Sequence, residues 1–180
     1  MFLEKLNINV DVVQVRNALA HIINLTEWSD NQIGLSHRNP PQKDVWKDCT
    51  GSLYDREKGI ELVTEFEFTE LNKQIPEYLK HILEQLATTE NIKLGRVRFM
   101  RLQRHQGLSV HKDTSIRYHL ALETNQYSYI AQGLDQSGIR AVCHHIPADG
   151  YFYKVDTTKE HFVYNGGKTD RIHLVICPRA

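Results

Sequence analysis

The stretch Arg117-Tyr118-His119-Leu120-Ala121-Leu122-Glu123 decides the fold class of this chain. It is a mainly apolar run without Gly or Pro, which is typical of a buried β-strand. Similar short runs recur on both sides, broken by Gly, Asn and Asp. The predicted strands of this part are 97–103, 117–123, 127–131, 140–146, 151–155, 161–164 and 171–176. Short strands at regular spacing with turn signals between them predict a β-sandwich or barrel.

The chain before residue 91 has a mixed pattern. We predict a strand over 2–10, a helix from Asp11 to about residue 24, and short strands over 32–36 and 45–53. A second helix is predicted over 76–87, with Pro76 in its first turn. Both helices carry an apolar stripe at helical spacing. The fold class is therefore mainly β with flanking helices (α+β). We expect one domain over 1–180, in which 1–90 supports a core barrel formed by 91–180.

Composition narrows the classes of function. Lys plus Arg and Asp plus Glu are 22 each, so long-range attraction to nucleic acid or an anionic membrane is not implied. No apolar run approaches the ~18 residues of a membrane span, and the N-terminus lacks a signal-peptide pattern. Three cysteines, far apart, argue against a disulfide framework. We expect a cytoplasmic protein with a small-molecule or peptide substrate and no membrane partner, and nucleic acid is an unlikely partner.

A metal site is predicted from His111-Lys112-Asp113. In an extended segment the side chains of residues i and i+2 point to the same face, so an imidazole and a carboxylate can meet one ion. For the third ligand we choose His161 on a late strand, and its rivals are His144, His145 and His173. Two histidines and one carboxylate form the facial triad of non-haem iron(II) oxygenases. On its own, the His-x-Asp pair is also compatible with a polar surface turn.

Arg171 is the second candidate. It opens the apolar run Arg171-Ile172-His173-Leu174-Val175, ten residues after His161. A guanidinium binds a carboxylate with two parallel hydrogen bonds, which suits the distal end of 2-oxoglutarate. The alternative is a structural salt bridge of Arg171 with Asp170 or Glu123.

Several stretches of the chain together resemble the aspartyl/asparaginyl β-hydroxylase family of 2-oxoglutarate oxygenases, including its bacterial members that hydroxylate free proline. The resemblance extends over about residues 92–178 and is weaker before them. The stretches that carry it are Val97-Arg98-Phe99-Met100-Arg101-Leu102, Gly107, His111-Lys112-Asp113, Arg117-Tyr118-His119-Leu120-Ala121-Leu122-Glu123-Thr124-Asn125, Asp149-Gly150-Tyr151-Phe152-Tyr153-Lys154-Val155-Asp156, His161, Asn165 and Arg171-Ile172-His173-Leu174.

The resemblance implies a double-stranded β-helix, which is a jelly-roll or cupin-like barrel. It implies that His111, Asp113 and His161 hold iron(II) as the catalytic centre and that Arg171 binds 2-oxoglutarate. His119 and Arg117 would also lie at the cosubstrate. The implied reaction hydroxylates an unactivated C–H bond with O2 and releases succinate and CO2.

Two departures from the family pattern concern the substrate. Gly150-Tyr151-Phe152-Tyr153 stands where the family usually has Gly-Glu-x-Trp, and Phe162 replaces a small residue after the distal histidine. A bulkier residue beside the metal could reshape the substrate pocket.

The substrate is predicted to be an amino acid, free or within a peptide and similar to Asp, Asn or Pro. As substrate-carboxylate ligands we consider Arg98, Arg101 and Arg104, although such a run is also typical of an ordinary half-exposed strand. Two other functions remain open: the same chemistry on a nucleobase or other small metabolite, and a cupin-like module that binds a metal without turnover. A zinc site at Cys143-His144-His145 lacks a second ligand pair at zinc-finger spacing.

Overall fold

A computed structural model of the chain describes residues 1–55, 57–133 and 141–179. Two helices and fourteen strands follow one another in the described residues. In chain order they are β1 (Leu3–Asn9), α1 (Val12–Ile23), β2 (Gln32–Gly34), β3 (Ser36–His37), β4 (Tyr54–Asp55), β5 (Ile60–Glu61), β6 (Glu70–Leu71), α2 (Glu77–Thr89), β7 (Lys93–Leu102), β8 (Gln106–His111), β9 (Arg117–Glu123), β10 (Ser128–Gln132), β11 (Val142–His144), β12 (Tyr151–Val155), β13 (His161–Asn165) and β14 (Arg171–Arg179). A short 3₁₀ helix, Glu65–Glu67, precedes β6.

The chain forms two compact units. Unit 1 comprises Met1–Val12 and Arg101–Val175, and unit 2 comprises Val13–Met100 and Ile176–Ala180. The single domain expected over 1–180 therefore stays a prediction. In the described part of the chain, no helix is both long enough and apolar enough to span a membrane.

Unit 1 contains two antiparallel sheets. In one, β1, β12, β9 and β14 lie side by side in that order, and in the other the order is β11, β10, β13, β8. One buried cluster joins Ile130 and Val163 of the second sheet to Ala121, Tyr153 and Val155 of the first. These side chains define the inner face of each sheet, and the arrangement is a sandwich with an apolar core.

Unit 2 carries the helices. Each helix has one buried apolar face. Its buried residues include Val15, Leu19 and Ile22 in α1 and Leu79, Ile82, Leu83 and Leu86 in α2. These are residues of the predicted apolar stripes. In the sheet of this unit, β7 lies between β2 and the end of β14. Apolar periodicity therefore located both helices to within about two residues, the usual uncertainty of helix ends.

The strand predicted over 45–53 is wrong. Asp44 begins a series of turns there, in which its Oδ1 accepts the Trp46 N–H at 3.0 Å and its carbonyl accepts the Lys47 N–H at 2.8 Å. Asp side chains that bond backbone N–H groups two residues on favour turns over strands. The strand predicted over 140–146 is shorter, since β11 covers Val142–His144, and Arg140 lies outside the described residues.

The sequence pattern also missed β8. All but the last of its six residues are exposed, and with Leu108 and Val110 as its only apolar residues the strand signal is too short to stand out. Pairing with β13 places this segment in the sheet instead. The missed strand matters because its last residue is His111.

Candidate metal centre and anion pocket

His111, Asp113 and His161 come together in unit 1. Their ligand atoms lie within 4.8 Å of one another, and among the described residues this is the one group of His, Cys, Asp and Glu that could hold a metal ion. His111 Nε2 is 4.0 Å from Asp113 Oδ1, and His161 Nε2 is 3.7 Å from Asp113 Oδ2. His161 is buried, whereas the other two are partly exposed. The structure thus assembles the predicted set of two imidazoles and one carboxylate.

A β-bulge brings the two histidines opposite each other. Along the pair of strands, Val163 lies opposite Leu108, while His161 lies opposite His111. Three steps along β8 therefore match two steps along β13, so β8 holds one extra residue. Bulges of this kind redirect side chains and are common beside active sites. Here the extra residue places the His111 and His161 rings 4.3 Å apart between centroids.

Backbone carbonyls decide which ring nitrogen of each of the two histidines carries the proton. His111 Nδ1 lies 2.7 Å from the Ser109 carbonyl, and His161 Nδ1 lies 2.9 Å from the Lys159 carbonyl. A carbonyl can only accept a hydrogen bond, so each Nδ1 carries the proton. In the neutral ring, Nε2 then offers a lone pair for a metal, which is the arrangement usual for ligand histidines.

Burial helps to keep His161 neutral. Its pKa is lowered, chiefly by burial and further by the neighbouring His111 and Arg117, although the Lys159 carbonyl and Asp113 act in the opposite direction. A metal ligand must be deprotonated. His161 is therefore ready to bind a cation at neutral pH.

Arg117 and a backbone hydrogen bond hold Asp113. The Arg117 Nη2 atom lies 3.2 Å from Asp113 Oδ1, and its Nη1 donates to the Ser115 carbonyl at 2.9 Å. The Asp113 N–H donates to the Thr157 carbonyl at 2.9 Å. Arg117 thus orients a candidate metal ligand, and its predicted contact with the cosubstrate stays a prediction.

A second cluster, which we name the anion pocket, is formed by Arg171, His173 and His119. Arg171 is buried, and its Nη2 donates to His173 Nδ1 at 3.0 Å. His173 Nδ1 also lies 3.4 Å from His119 Nδ1, with the two rings nearly perpendicular. Because arginine has only donors, His173 Nδ1 must accept, which leaves the proton of the neutral ring on Nε2.

The anion pocket contains hydrogen-bond donors but no acid. Within the described part of the chain, His173 Nε2 is buried without a hydrogen-bond partner, and Arg171 forms no ion pair with a carboxylate. Asp170 Oδ1 instead accepts the Arg104 N–H at 3.3 Å, and Glu123 is exposed. The alternative that Arg171 is a structural salt-bridge partner of either residue therefore finds no support. Burial lowers the pKa of Arg171 to about 10.

One strand face links the two clusters. Arg117 and His119 are two residues apart on β9, so their side chains share a face, and Ala121 on that face belongs to the apolar core. Arg117 contacts Asp113, and His119 contacts His173. Two residues of a strand span roughly 7 Å. The metal ligands and the anion pocket therefore lie next to each other on the inner side of the sandwich.

The three candidate substrate arginines are placed differently. Arg98 is buried in unit 2, where its Nη1 donates to Gln32 Oε1 at 2.9 Å, while Arg101 is half-buried in unit 1. Arg104 follows the end of β7 and is exposed. Arg98 and Arg101 are three residues apart on β7 and therefore point to opposite faces of the strand. A role of any of the three in substrate binding stays a prediction.

The rival ligands His144, His145 and His173 lie outside the group of described residues that could hold a metal ion. His145 Nδ1 lies 2.8 Å from the Ser128 carbonyl, and the His144 ring packs against Phe2 at 5.1 Å. Cys143 is exposed, Cys49 and Cys177 are buried, and all three are free thiols.

Two histidines and one carboxylate on an antiparallel sandwich are a ligand set typical of non-haem iron oxygenases. The chain belongs to the aspartyl/asparaginyl β-hydroxylase family, whose model matches residues 11–178. It is therefore an enzyme of the 2-oxoglutarate–iron(II) oxygenase class, as the resemblance predicted. A comparison with curated proteins finds no match.

Solved structures of low sequence identity share the fold. HygX from Streptomyces hygroscopicus, solved with iron bound, is 8% identical over 97% of this chain and 81% of its own, with a TM-score of 0.58. AviO1 from Streptomyces viridochromogenes is 12% identical over 99% of this chain and 90% of its own, with a TM-score of 0.56. A Pseudomonas putida prolyl-4-hydroxylase is 10% identical over 98% of this chain and 91% of its own, with a TM-score of 0.55. The predicted jelly-roll class is confirmed.

Proposed function

We propose that this chain is an iron(II)- and 2-oxoglutarate-dependent dioxygenase that hydroxylates an unactivated C–H bond of an amino acid, free or within a peptide. The observation that carries the cosubstrate assignment is the buried Arg171, which has no carboxylate partner among the described residues and lies beside an unpartnered His173 Nε2. A buried guanidinium without an anion is costly. A cosubstrate carboxylate would supply the missing charge.

The donor set fits iron(II). Two imidazoles that bond backbone carbonyls through Nδ1 and one carboxylate, with ligand atoms within 4.8 Å of one another, can occupy one face of an octahedral ion and leave positions for other ligands. When bound, iron(II) and 2-oxoglutarate together activate O2 for C–H hydroxylation, with release of succinate and CO2.

The protein's own groups orient these ligands. The Ser109 and Lys159 carbonyls fix the two imidazoles, and Arg117 fixes Asp113. Arg171 and His173 provide N–H donors for the far carboxylate of the cosubstrate, at the other end of the same strand face. Such preorganised donors position a reactant with little further loss of entropy.

The amino-acid substrate rests on the family to which the chain belongs. Arg98, Arg101 and Arg104 remain the predicted ligands of a substrate carboxylate. Arg101→Ala is expected to lose activity while keeping cosubstrate binding, and an unchanged substrate affinity in this variant would refute its role.

The test is iron-dependent formation of succinate from 2-oxoglutarate. It is run with a panel of free amino acids, short peptides and nucleosides, and products are screened by mass spectrometry for one added oxygen atom. Substrate-stimulated succinate together with a hydroxylated amino acid supports the proposal. Hydroxylation of a nucleoside alone would favour the alternative substrate class.

A matched pair of variants tests the metal ligands. His161→Ala is expected to abolish both metal binding, followed by titration with Mn(II), and succinate formation. His81→Ala removes an exposed imidazole of α2 and should change neither. Iron-loaded wild-type protein that makes no succinate with any panel compound would indicate a metal-binding module without turnover.

A further inference from the structure

A row of four residues crosses the second sheet of unit 1, which consists of β11, β10, β13 and β8, at the metal centre. Strand pairing places Val142 opposite Gln132, Gln132 opposite His161, and His161 opposite His111. Directly opposed residues of antiparallel strands point to the same face, with Cβ atoms about 4.5–5.5 Å apart. The side chain of Gln132 is thus the immediate neighbour of a candidate metal ligand.

The row lies on the inner face of the sheet. Ile130 and Val163 face each other in the apolar core. Gln132 is two residues beyond Ile130, and His161 is two residues before Val163, so both share that face. The Ile130–Val163 pair is apolar and the neighbouring Gln132–His161 pair is polar, so the inner face becomes polar where the metal ligands lie.

The row opens to solvent at its other end. Val142 is 58% exposed, Gln132 is half-buried, and His161 is buried. Exposure therefore increases along the row from His161 through Gln132 to Val142.

Gly133 fixes the end of β10 at this point. Its N–H donates to the Glu160 carbonyl at 2.5 Å, and a Cβ at Gly133 would lie 2.7 Å from the Glu160 Cβ. Gly133 directly follows Gln132, and Glu160 directly precedes His161. This close contact therefore holds Gln132 in register with His161.

The carboxamide of Gln132 has no hydrogen-bond partner among the described residues. A half-buried glutamine amide offers two N–H donors and one carbonyl acceptor. The charged groups of the centre are already matched, since Arg117 contacts Asp113. The free group beside the metal ligands is therefore neutral and both donates and accepts.

We propose that Gln132 is a specificity-determining residue, whose carboxamide hydrogen-bonds an amide of the substrate, either a side-chain carboxamide or a peptide group. This inference rests on the proposed function and assigns part of its substrate pocket. A side-chain carboxamide pairs with the Gln132 carboxamide through one donor and one acceptor on each side, whereas a trans peptide group offers it either its N–H or its carbonyl. A polar group of the pocket rejects analogues that leave it unpaired.

The experiment uses full-length protein loaded with iron(II) and 2-oxoglutarate. The probes are L-asparagine, L-glutamine, L-aspartate, L-proline and the N-acetyl amides of these amino acids, and the probe that most stimulates succinate formation is carried forward. Gln132→Leu removes the amide at similar size, and Gln132→Glu keeps an acceptor but replaces the donor with a charge. Tyr129→Phe, on the opposite face of β10, is the control.

For Gln132→Leu we expect the KM of that probe to rise about 10- to 100-fold, because two hydrogen bonds are lost in a partly desolvated site. Its kcat, the KM of the cosubstrate and the Mn(II) affinity should stay within about 3-fold. Calorimetric titration of the probe into protein loaded with Mn(II) and cosubstrate should show the same loss without turnover. Tyr129→Phe should behave as the wild type.

Three outcomes overturn the inference in different ways. Unchanged KM and unchanged calorimetric Kd in Gln132→Leu would show that Gln132 does not contact the substrate. A Gln132→Glu variant that binds the probe more weakly than Gln132→Leu would indicate a carboxylate in place of an amide. Wild-type protein without succinate formation refutes the proposed function, and the inference falls with it.

Discussion

Arg38 in unit 2 is partly buried and Arg171 in unit 1 is buried. Among the described residues, only Arg38 of the two has a carboxylate partner. Its Nη2 and Nε donate to the two oxygens of Asp48 at 2.6 and 3.1 Å. Burial raises the pKa of Asp48, but hydrogen bonds from Arg38 and the Gln42 N–H outweigh it and bring the pKa to about 2. Arg171 has a histidine instead of an acid, and burial alone lowers its pKa to about 10.

The difference separates a structural role from a ligand-binding one. The Arg38–Asp48 pair is complete within the chain, so it can stabilise a loop without any other molecule. No carboxylate among the described residues pairs with Arg171, so these residues leave its buried charge without compensation. The comparison predicts that substitutions in the two regions will affect different properties.

The largest effect is expected for Arg171→Met. The kcat/KM for the cosubstrate should fall about 1000-fold, since truncating one partner of a buried charge pair costs about 4 kcal/mol. The free energy of unfolding without cosubstrate should stay the same or rise, because an unpaired buried charge is removed. Succinate kinetics and urea denaturation measure the two properties.

Arg38→Met is the control for this experiment. It should lower stability and leave the KM of the cosubstrate unchanged. If Arg171→Met instead destabilised the protein as much as Arg38→Met does, Arg171 would be a structural residue and the comparison would fail.

Asp48→Asn should give the next largest effect. Removing the Asp48 carboxylate leaves the partly buried Arg38 without its counter-charge, so the free energy of unfolding should fall by about 1–3 kcal/mol. Glu77→Gln breaks an exposed pair of α2 and should cost less than about 1 kcal/mol. Denaturant titrations of both variants make the comparison, and equal effects would contradict the assignment.

The pH dependence of stability should show the buried His173. Burial, followed by the charges of Arg171, His119 and His145, holds its pKa well below the usual value. Below about pH 6.5 the unfolded chain takes up a proton at this residue and the folded chain does not, so stability falls with decreasing pH. The contribution is at most about 1.4 kcal/mol per pH unit.

His173→Phe provides the measurement for this effect. Its unfolding free energy should depend less steeply on pH between about 7 and 5 than that of the wild type. Parallel curves for the two proteins would show that His173 is protonated in the folded state.

The smallest effect is expected at Lys112, between the two ligands of the His-x-Asp. Its Nζ lies 3.9 Å from Glu160 Oε1, and both side chains are more than half exposed. Lys112→Ala should therefore change stability by less than about 0.5 kcal/mol and leave Mn(II) affinity within about 2-fold. A larger loss of metal binding, seen by titration, would show that the charge between the ligands affects the site.

Part of the fold was predictable because its signals are local. The strands β9 and β12 begin and end where the apolar runs predict, and both helices follow their apolar stripes. The prediction failed over 45–53, where Asp44 favours turns, and at β8, whose exposed segment has only two apolar residues. In both segments the pairing partner or a side-chain hydrogen bond decides the structure.

The candidate site divides in the same way. The order of the motifs along the chain singled out His111, Asp113, His161 and Arg171, because the sequence itself shows which residue types can bind a metal or a carboxylate. Gln132 was missed since nothing local distinguishes it from any polar residue at the end of a strand. Only the register with His161 brings it to the centre.

The sequence by itself determined the fold class, the family and the residue types that can bind a metal and a carboxylate. The tertiary structure decided which of these groups meet: a bulge in β8 sets His111 opposite His161, and the shared face of β9 joins Arg117 at Asp113 to His119 at His173. It also decided that Arg171 has no acid partner among the described residues. These properties depend on register and burial, which arise only when distant segments pack together, so no local pattern can encode them.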